Sequence, residues 1–356
     1  MSDIETRCTA RIDLDALRHN LQRVRAFAPQ SRVMAVIKAN AYGHGAVEVA
    51  GALGDADAFA VASIAEAVAL RRAGVSVPVT VLGGPLSAAD VSNAAAHRLD
   101  LVVHEPAQMD WLQGFAGGIW LKLDTGMHRL GFPVSAVAEL QQWLASPDSP
   151  DLLGWMTHLA CADEQDHPLT GEQLSAFSNA LQGVPGTRSI ANSAGVCGWP
   201  KSHADWVRPG IMLYGASPLQ SQTAATLGLR PVMTLMSRLL SVRQLPRGAA
   251  VGYGASWRCP EDMPVGIAAI GYADGYPRHL PSGTPVAVAG RPCALAGRVS
   301  MDMIAIDLRQ HPDARVGDDV QLWGEQIPVD EIAHAAGTIA YELFCGIGPR
   351  VRFDYV

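Results

Sequence analysis

Much that would assign this chain to a familiar class is missing from it. Its six cysteines (Cys8, Cys161, Cys197, Cys259, Cys293 and Cys345) lie far apart with no CxxC pair. A zinc ribbon and a disulfide framework are therefore not indicated, and reduced thiols in packing positions are expected. No apolar run approaches the ~18 residues of a membrane span, and the opening MSDIETR lacks the apolar core of a signal peptide. The expectation is a cytoplasmic protein with no membrane contact. There is no long basic stretch and the formal net charge is -7, which argues against nucleic acid or an anionic membrane surface and for a small-molecule partner. Phosphate-loop and dinucleotide fingerprints are absent. The cluster His158, Cys161, Asp163, Glu164, Asp166 and His167 has no recognised ligand spacing; it reads as an acidic, solvated loop, and no metal is expected.

What remains is a core-forming pattern. The 356 residues are 49% hydrophobic, enough for two domains or a large barrel with an appendage. Eight short apolar runs recur: Val33 to Ile37, Ala58 to Ala62, Val79 to Leu82, Leu101 to Val103, Ile119 to Leu123, Trp155 to Leu159, Ser189 to Ala191 and Ile211 to Tyr214. Between them lie segments such as Ile64 to Arg72 and Val134 to Leu144, apolar at helical spacing. Eightfold alternation predicts an α/β fold, a (β/α)8 TIM-type barrel over residues 1–229. An open doubly wound sheet is the alternative, because the last units are the least regular.

After Arg230 the texture changes to β-branched runs broken by glycine and proline: Leu239 to Leu245, Val265 to Gly271, Pro285 to Ala289, Met303 to Leu308, Val320 to Trp323 and Val351 to Val356. With one helical segment, Val329 to Ala336, they predict a mainly antiparallel β domain over 230–356.

Barrel chemistry gathers where strands finish. Those positions hold Lys38, Lys122 with Asp124, His158, and Asn192 with Ser193, while Arg208, Gly210 and Ile211 enter the last run. A lysine after five apolar residues, in VMAVIKANAYGHG, is rarely buried without a partner or a chemical task.

These residues carry a resemblance. VIKANAYGHG resembles the pyridoxal phosphate attachment motif of the alanine racemase family, and the likeness continues through LKLDTGMHRLGF, DWVRPGIMLYG, VGYG, GYADGYPR and VSMDM. It spans nearly the whole chain. The resemblance implies interconversion of L- and D-alanine by two bases acting on a pyridoxal 5'-phosphate aldimine, for cell-wall synthesis or for alanine breakdown. Lys38 is implied as cofactor anchor and one base, and Tyr253 as the other. Tyrosine is a weak base unless neighbours favour the phenolate, and Arg129 and His158 are the family's candidates for that neighbourhood.

The same resemblance places Arg208 against the pyridine nitrogen, where a guanidinium does not readily give up its proton. It assigns phosphate contacts to Tyr42, Ser193, the amides of Gly210 and Ile211, and Tyr341, with Leu82 near the ring and His158 and Asn192 in the cofactor's surroundings. Arg129, Met301 and Asp302 are implied on the substrate side. Lys122 resembles a lysine that is often carbamylated; unmodified, it would make an ordinary ion pair with Asp124. Because Tyr253, Met301 and Asp302 belong to the β domain, the resemblance implies a homodimer with shared sites. Other lysine-bound pyridoxal phosphate enzymes of this plan, a broader racemase or a decarboxylase, and a non-catalytic cofactor carrier are the competing readings. Decarboxylases do not share VGYG, GYADGYPR and VSMDM, and a carrier needs no second base.

Overall fold

Eight parallel strands close into a ring in the computed structural model, which describes residues 7–356. Asp100–Val103 pairs with Val79–Val81, then Ala58–Val61, Arg32–Val36, Trp206–Val207, Thr187–Ser189, Asp151–Met156 and Gly118–Asp124, which returns to Asp100–Val103. This is the expected barrel. Several of its strands read as near-continuous apolar runs because both faces are covered: Val33 through Ile37 and Ala58 through Val61 are all buried.

Helices alternate with the strands as predicted. Ile64–Arg72 begins on a Ser63 cap, with a reciprocal capping box to Glu66. Val137–Leu144 follows a short 3-10 turn, Val134–Ala136.

Three strands fall elsewhere than expected: Asp151–Met156 and Thr187–Ser189 begin before the runs at Trp155 to Leu159 and Ser189 to Ala191 and meet them only at their ends. The eighth is Trp206–Val207, whereas Ile211–Tyr214 is a 3-10 turn. All four residues of that turn are wholly buried, and a short buried run has the same composition whether it is strand or turn.

The second unit is built on an eight-stranded sheet. Six of its strands close on themselves: Met263–Ala268, Ile304–Asp307, Arg291–Leu295, Pro285–Val288, Asp319–Trp323 and the long Met233–Leu245, which returns to Met263–Ala268. All these pairings are antiparallel. Helix Val329–Ala336 forms where expected and ends on Gly337 in the left-handed conformation. The strand Arg291–Leu295 and the helix Ala340–Cys345 have no counterpart in the sequence pattern.

The sequence expectation places residues 1–229 in the barrel; the pairing divides the chain differently. Cys8–Ile12 runs antiparallel to Met233–Ser237 and parallel to Arg352–Tyr355, so the segment ending at Ala16 belongs with the β unit, as does Tyr214–Ala216. A partner more than 200 residues away leaves no local trace in the sequence. Among the described residues no helix is long and apolar enough to cross a membrane.

Candidate active site

The amide of Ile37 bonds to the carbonyl of Ala60 at 2.9 Å, and the next residue is the half-buried Lys38. The chain then makes a turn of left-handed helix: Ala39, Asn40, Ala41 and Tyr42 have φ of 53°, 52°, 53° and 52°. L-residues held this way cost roughly 1–2 kcal/mol each, so the neighbours must hold the turn. Ala41 N–H donates to the Ile37 carbonyl (3.0 Å) and Gly45 N–H to that of Asn40 (3.0 Å). The Asn40 side-chain oxygen accepts from Ala46 N–H (2.9 Å). His44 Nδ1 donates to the carbonyls of Tyr42 (2.9 Å) and Ala41 (3.1 Å). Burial pushes the His44 pKa down to about 4, so the ring is neutral at pH 7.

The barrel mouth is dominated by positive charge. Lys122, on Gly118–Asp124, is buried, and its pKa is lowered to about 8, first by desolvation and then by Arg208, Arg129 and Lys38. Asp124 opposes that lowering; its carboxylate accepts from the amides of Gly126 and His128 (3.0 Å each) and from His128 Nδ1 (3.0 Å).

Arg208, immediately after Trp206–Val207, is also buried. It donates to Ser189 Oγ (2.5 Å) and to the carbonyls of Thr157 (2.5 Å) and Ile190 (3.1 Å), with His158 Nδ1 at 3.4 Å. Burial lowers its pKa to about 10, so it stays charged at neutral pH. His158 is driven well below its ordinary value by desolvation and by Arg208, Lys122, Arg129 and Lys38. It is therefore an uncharged imidazole amid cations.

Close to Arg208 in sequence, Gly210 meets the side chains of Ser193 and Tyr42. Ser193 Oγ accepts from Gly210 N–H (2.8 Å) and Met212 N–H (3.4 Å). A β-carbon on Gly210 would lie 2.4 Å from the Tyr42 hydroxyl, so that hydroxyl rests directly on the glycine. Asn192 caps the short helix Ser193–Gly198 through Gly195 N–H (2.9 Å). Ile211 is buried, and the half-buried Leu82 is tied to the Val61 carbonyl by its amide (2.8 Å). Arg129 is exposed beyond the strand that carries Lys122.

The remaining candidates lie in the β unit. Tyr253, 69% exposed, stands between Gly252 and Gly254, both at φ 72°. With Arg298, Met301 and Asp302 it lines a cavity of about 290 Å³. Asp302 is fixed by Arg350 (2.8 Å), which also grips the buried Asp274 (2.8 Å). Tyr341 sits on helix Ala340–Cys345. The structure brings Lys38, Lys122, Arg129, His158 and Arg208 together in one unit, with Tyr42, Ser193 and Gly210 in mutual contact, and Tyr253, Met301 and Asp302 together in the other. Leu82 and Asn192 bond to Val61 and Gly195, outside these groups, and Tyr341 stands on a separate element, helix Ala340–Cys345.

The alanine racemase N-terminal domain family matches residues 12–218, and the alanine racemase C-terminal domain family matches 232–355. The chain belongs to the alanine racemase family. It is 54% identical to the alanine racemase of Nitrosococcus oceani, covering 96% of this chain and 97% of that one. It is 55% identical to that of Thioalkalivibrio sulfidiphilus, covering 98% of each. Among solved structures it is similar to the biosynthetic alanine racemase of Pseudomonas aeruginosa, with 46% identity, a TM-score of 0.95 and coverage of 99% and 100%. Alanine racemases are pyridoxal phosphate-dependent isomerases, and the barrel followed by a β domain is the family's architecture.

Sequence reasoning missed the residues that support this barrel mouth: Glu66, Asn40, His44, Ser189 and Thr157. Among them only Glu66 carried a signal, the Ser63-to-Glu66 spacing of a capping box. The chain has three lysines, Lys38, Lys122 and Lys201, and two of them lie in this cationic mouth.

Proposed function

We propose that the chain interconverts L- and D-alanine with pyridoxal 5'-phosphate bound to Lys38, as a homodimer whose sites draw residues from both copies. The observation that carries this reading is the barrel mouth itself, where Lys38, Lys122, Arg129 and Arg208 concentrate positive charge and Tyr42 and Ser193 close on Gly210. A primary amine suits an aldehyde, and amides and hydroxyls around a glycine suit a phosphate. The residues present fit the cofactor, which when bound supplies an acceptor for the electron pair left behind as the α-proton departs.

Lys38 would hold the cofactor, and its amine, when free, would take or return a proton on one face of the substrate. Tyr253 of the other copy serves the opposite face. Arg208 keeps its charge in a nest of acceptors, and it would offer the cofactor's ring nitrogen an N–H donor that does not readily give up its proton. His158 stays neutral, so it adds no charge where the cations already repel. Met301 and Asp302, the latter steadied by Arg350, would bound the alanine side. Carbamylation of Lys122 would convert one of four crowded cations to an anion able to hold Arg129. The pKa of about 8 supports this, because it leaves a share of the amine uncharged at neutral pH.

The test is direct. Cofactor-loaded protein is reduced with borohydride and its peptides mapped, and L-alanine is followed for loss of optical rotation. A pyridoxyl label on Lys38 together with racemisation is expected; a label on another residue, or protein inert toward alanine, overturns the reading.

A further inference from the structure

Glu66 opens helix Ile64–Arg72 and uses its carboxylate in an unusual way. As the third helical residue it closes the capping box, with Oε2 accepting from Ser63 N–H at 3.1 Å. That much is ordinary helix-start chemistry. The same oxygen also accepts from Ala62 N–H at 2.7 Å. The other oxygen leaves the helix altogether and accepts from Ala39 N–H, again at 2.7 Å. Ala39 is 27 residues away in sequence, directly follows Lys38, and begins the left-handed turn.

That amide needs an acceptor. The first bond along the turn runs from Ala41 N–H to the Ile37 carbonyl, so the Ala39 donor precedes it and has no carbonyl within the turn to meet. Backbone dipoles in such a turn point their N–H ends toward its start, where an anionic oxygen is favoured. One carboxylate thus pins the peptide after Lys38 to the end of the neighbouring barrel strand, Ala58–Val61, through the two amides of Ala62 and Ser63.

We propose that Glu66 is a positioning residue for Lys38: it fixes the backbone on which the amine is carried and so sets the aim of that amine at the cofactor's aldehyde. Glu66 need not touch cofactor or substrate. The inference rests on Lys38 being the cofactor's anchor, and the experiment separates the two.

Full-length Glu66→Ala, Glu66→Gln and Ser63→Ala proteins are freed of cofactor and titrated with pyridoxal 5'-phosphate. The measurements are binding affinity, the visible spectrum, borohydride labelling at Lys38 and thermal unfolding. Ser63→Ala is the structural control, since it removes the side-chain oxygen that accepts from Glu66 N–H at 3.3 Å and leaves the Ala39 bond in place. Losing a charged hydrogen bond corresponds to about tenfold in affinity. The expectation is that loss in Glu66→Ala, a smaller one in Glu66→Gln, which keeps a single acceptor oxygen, and altered visible absorbance and slower labelling in both. Ser63→Ala should lower the unfolding temperature with affinity and spectrum unchanged.

Should Glu66→Ala fail to fold, Glu66→Gln is compared with Ser63→Ala by the same readouts. The proposal is overturned if the Glu66 variants match Ser63→Ala within about twofold in affinity and share its spectrum while wild type is labelled on Lys38. Wild-type protein that is not labelled on Lys38 overturns the anchor reading, and this inference with it.

Discussion

The Tyr42 hydroxyl lies against the α-carbon of Gly210, so close that a β-carbon there would sit 2.4 Å away. The contact joins the left-handed turn after the first barrel strand to the loop after the last. Gly210→Ala must displace the tyrosine. The expected result is about a tenfold or greater loss of affinity for pyridoxal 5'-phosphate, the scale of one hydrogen bond to a charged group. Titrating the cofactor-free variant beside wild type measures it.

His44 makes the same turn sensitive to acid. Its folded pKa, about 4, lies below the ordinary value of 6.5. Between those values the unfolded chain binds the proton and the folded chain does not, so stability rises with pH. The contribution is fully present above pH 6.5 and is lost as pH falls toward 4, with a ceiling of roughly 3 kcal/mol. Denaturant unfolding across this range should show that slope in wild type and a shallower one in His44→Gln.

Lys122 titrates in a higher window. Its pKa of about 8, against 10.5 for the free side chain, means that the unfolded chain holds more protons between those values. Burying the charged amine therefore costs stability below pH 8, and the cost fades as pH rises to 10.5, by roughly 2–3 kcal/mol in all. In buffer free of carbon dioxide, wild type should gain stability over that window and Lys122→Met should not. With bicarbonate present, native mass spectrometry should find one carbon dioxide adduct per chain in wild type and none in the variant.

Sharing of sites between copies has a quantitative consequence. Lys38→Ala and Tyr253→Phe proteins are each expected to be nearly inactive. If subunits exchange at random in an equal mixture, half the dimers are mixed and each has one intact site. Activity should then return to roughly a quarter of wild type. Activity that stays at the single-variant level after proven exchange would rule out shared sites.

What the sequence by itself determined is the part written in local patterns. Short apolar runs located five of the eight barrel strands and the ends of two more, and apolar residues at helical spacing located helix Ile64–Arg72. The lysine motif pointed to the chemistry of the mouth, because an amine after five apolar residues is costly without a task. Tertiary structure alone decided the rest. Cys8–Ile12 pairs with strands at opposite ends of the later chain, and long-range pairing of this kind has no periodicity of its own. Ile211–Tyr214 is a turn because Trp206–Val207 already closes the ring. Ala39 to Tyr42 contain no glycine, so nothing local announces their left-handed backbone; contacts from Glu66, Asn40 and His44 hold it. The lowered pKa of Lys122 likewise arises only when distant cations are folded into one desolvated space.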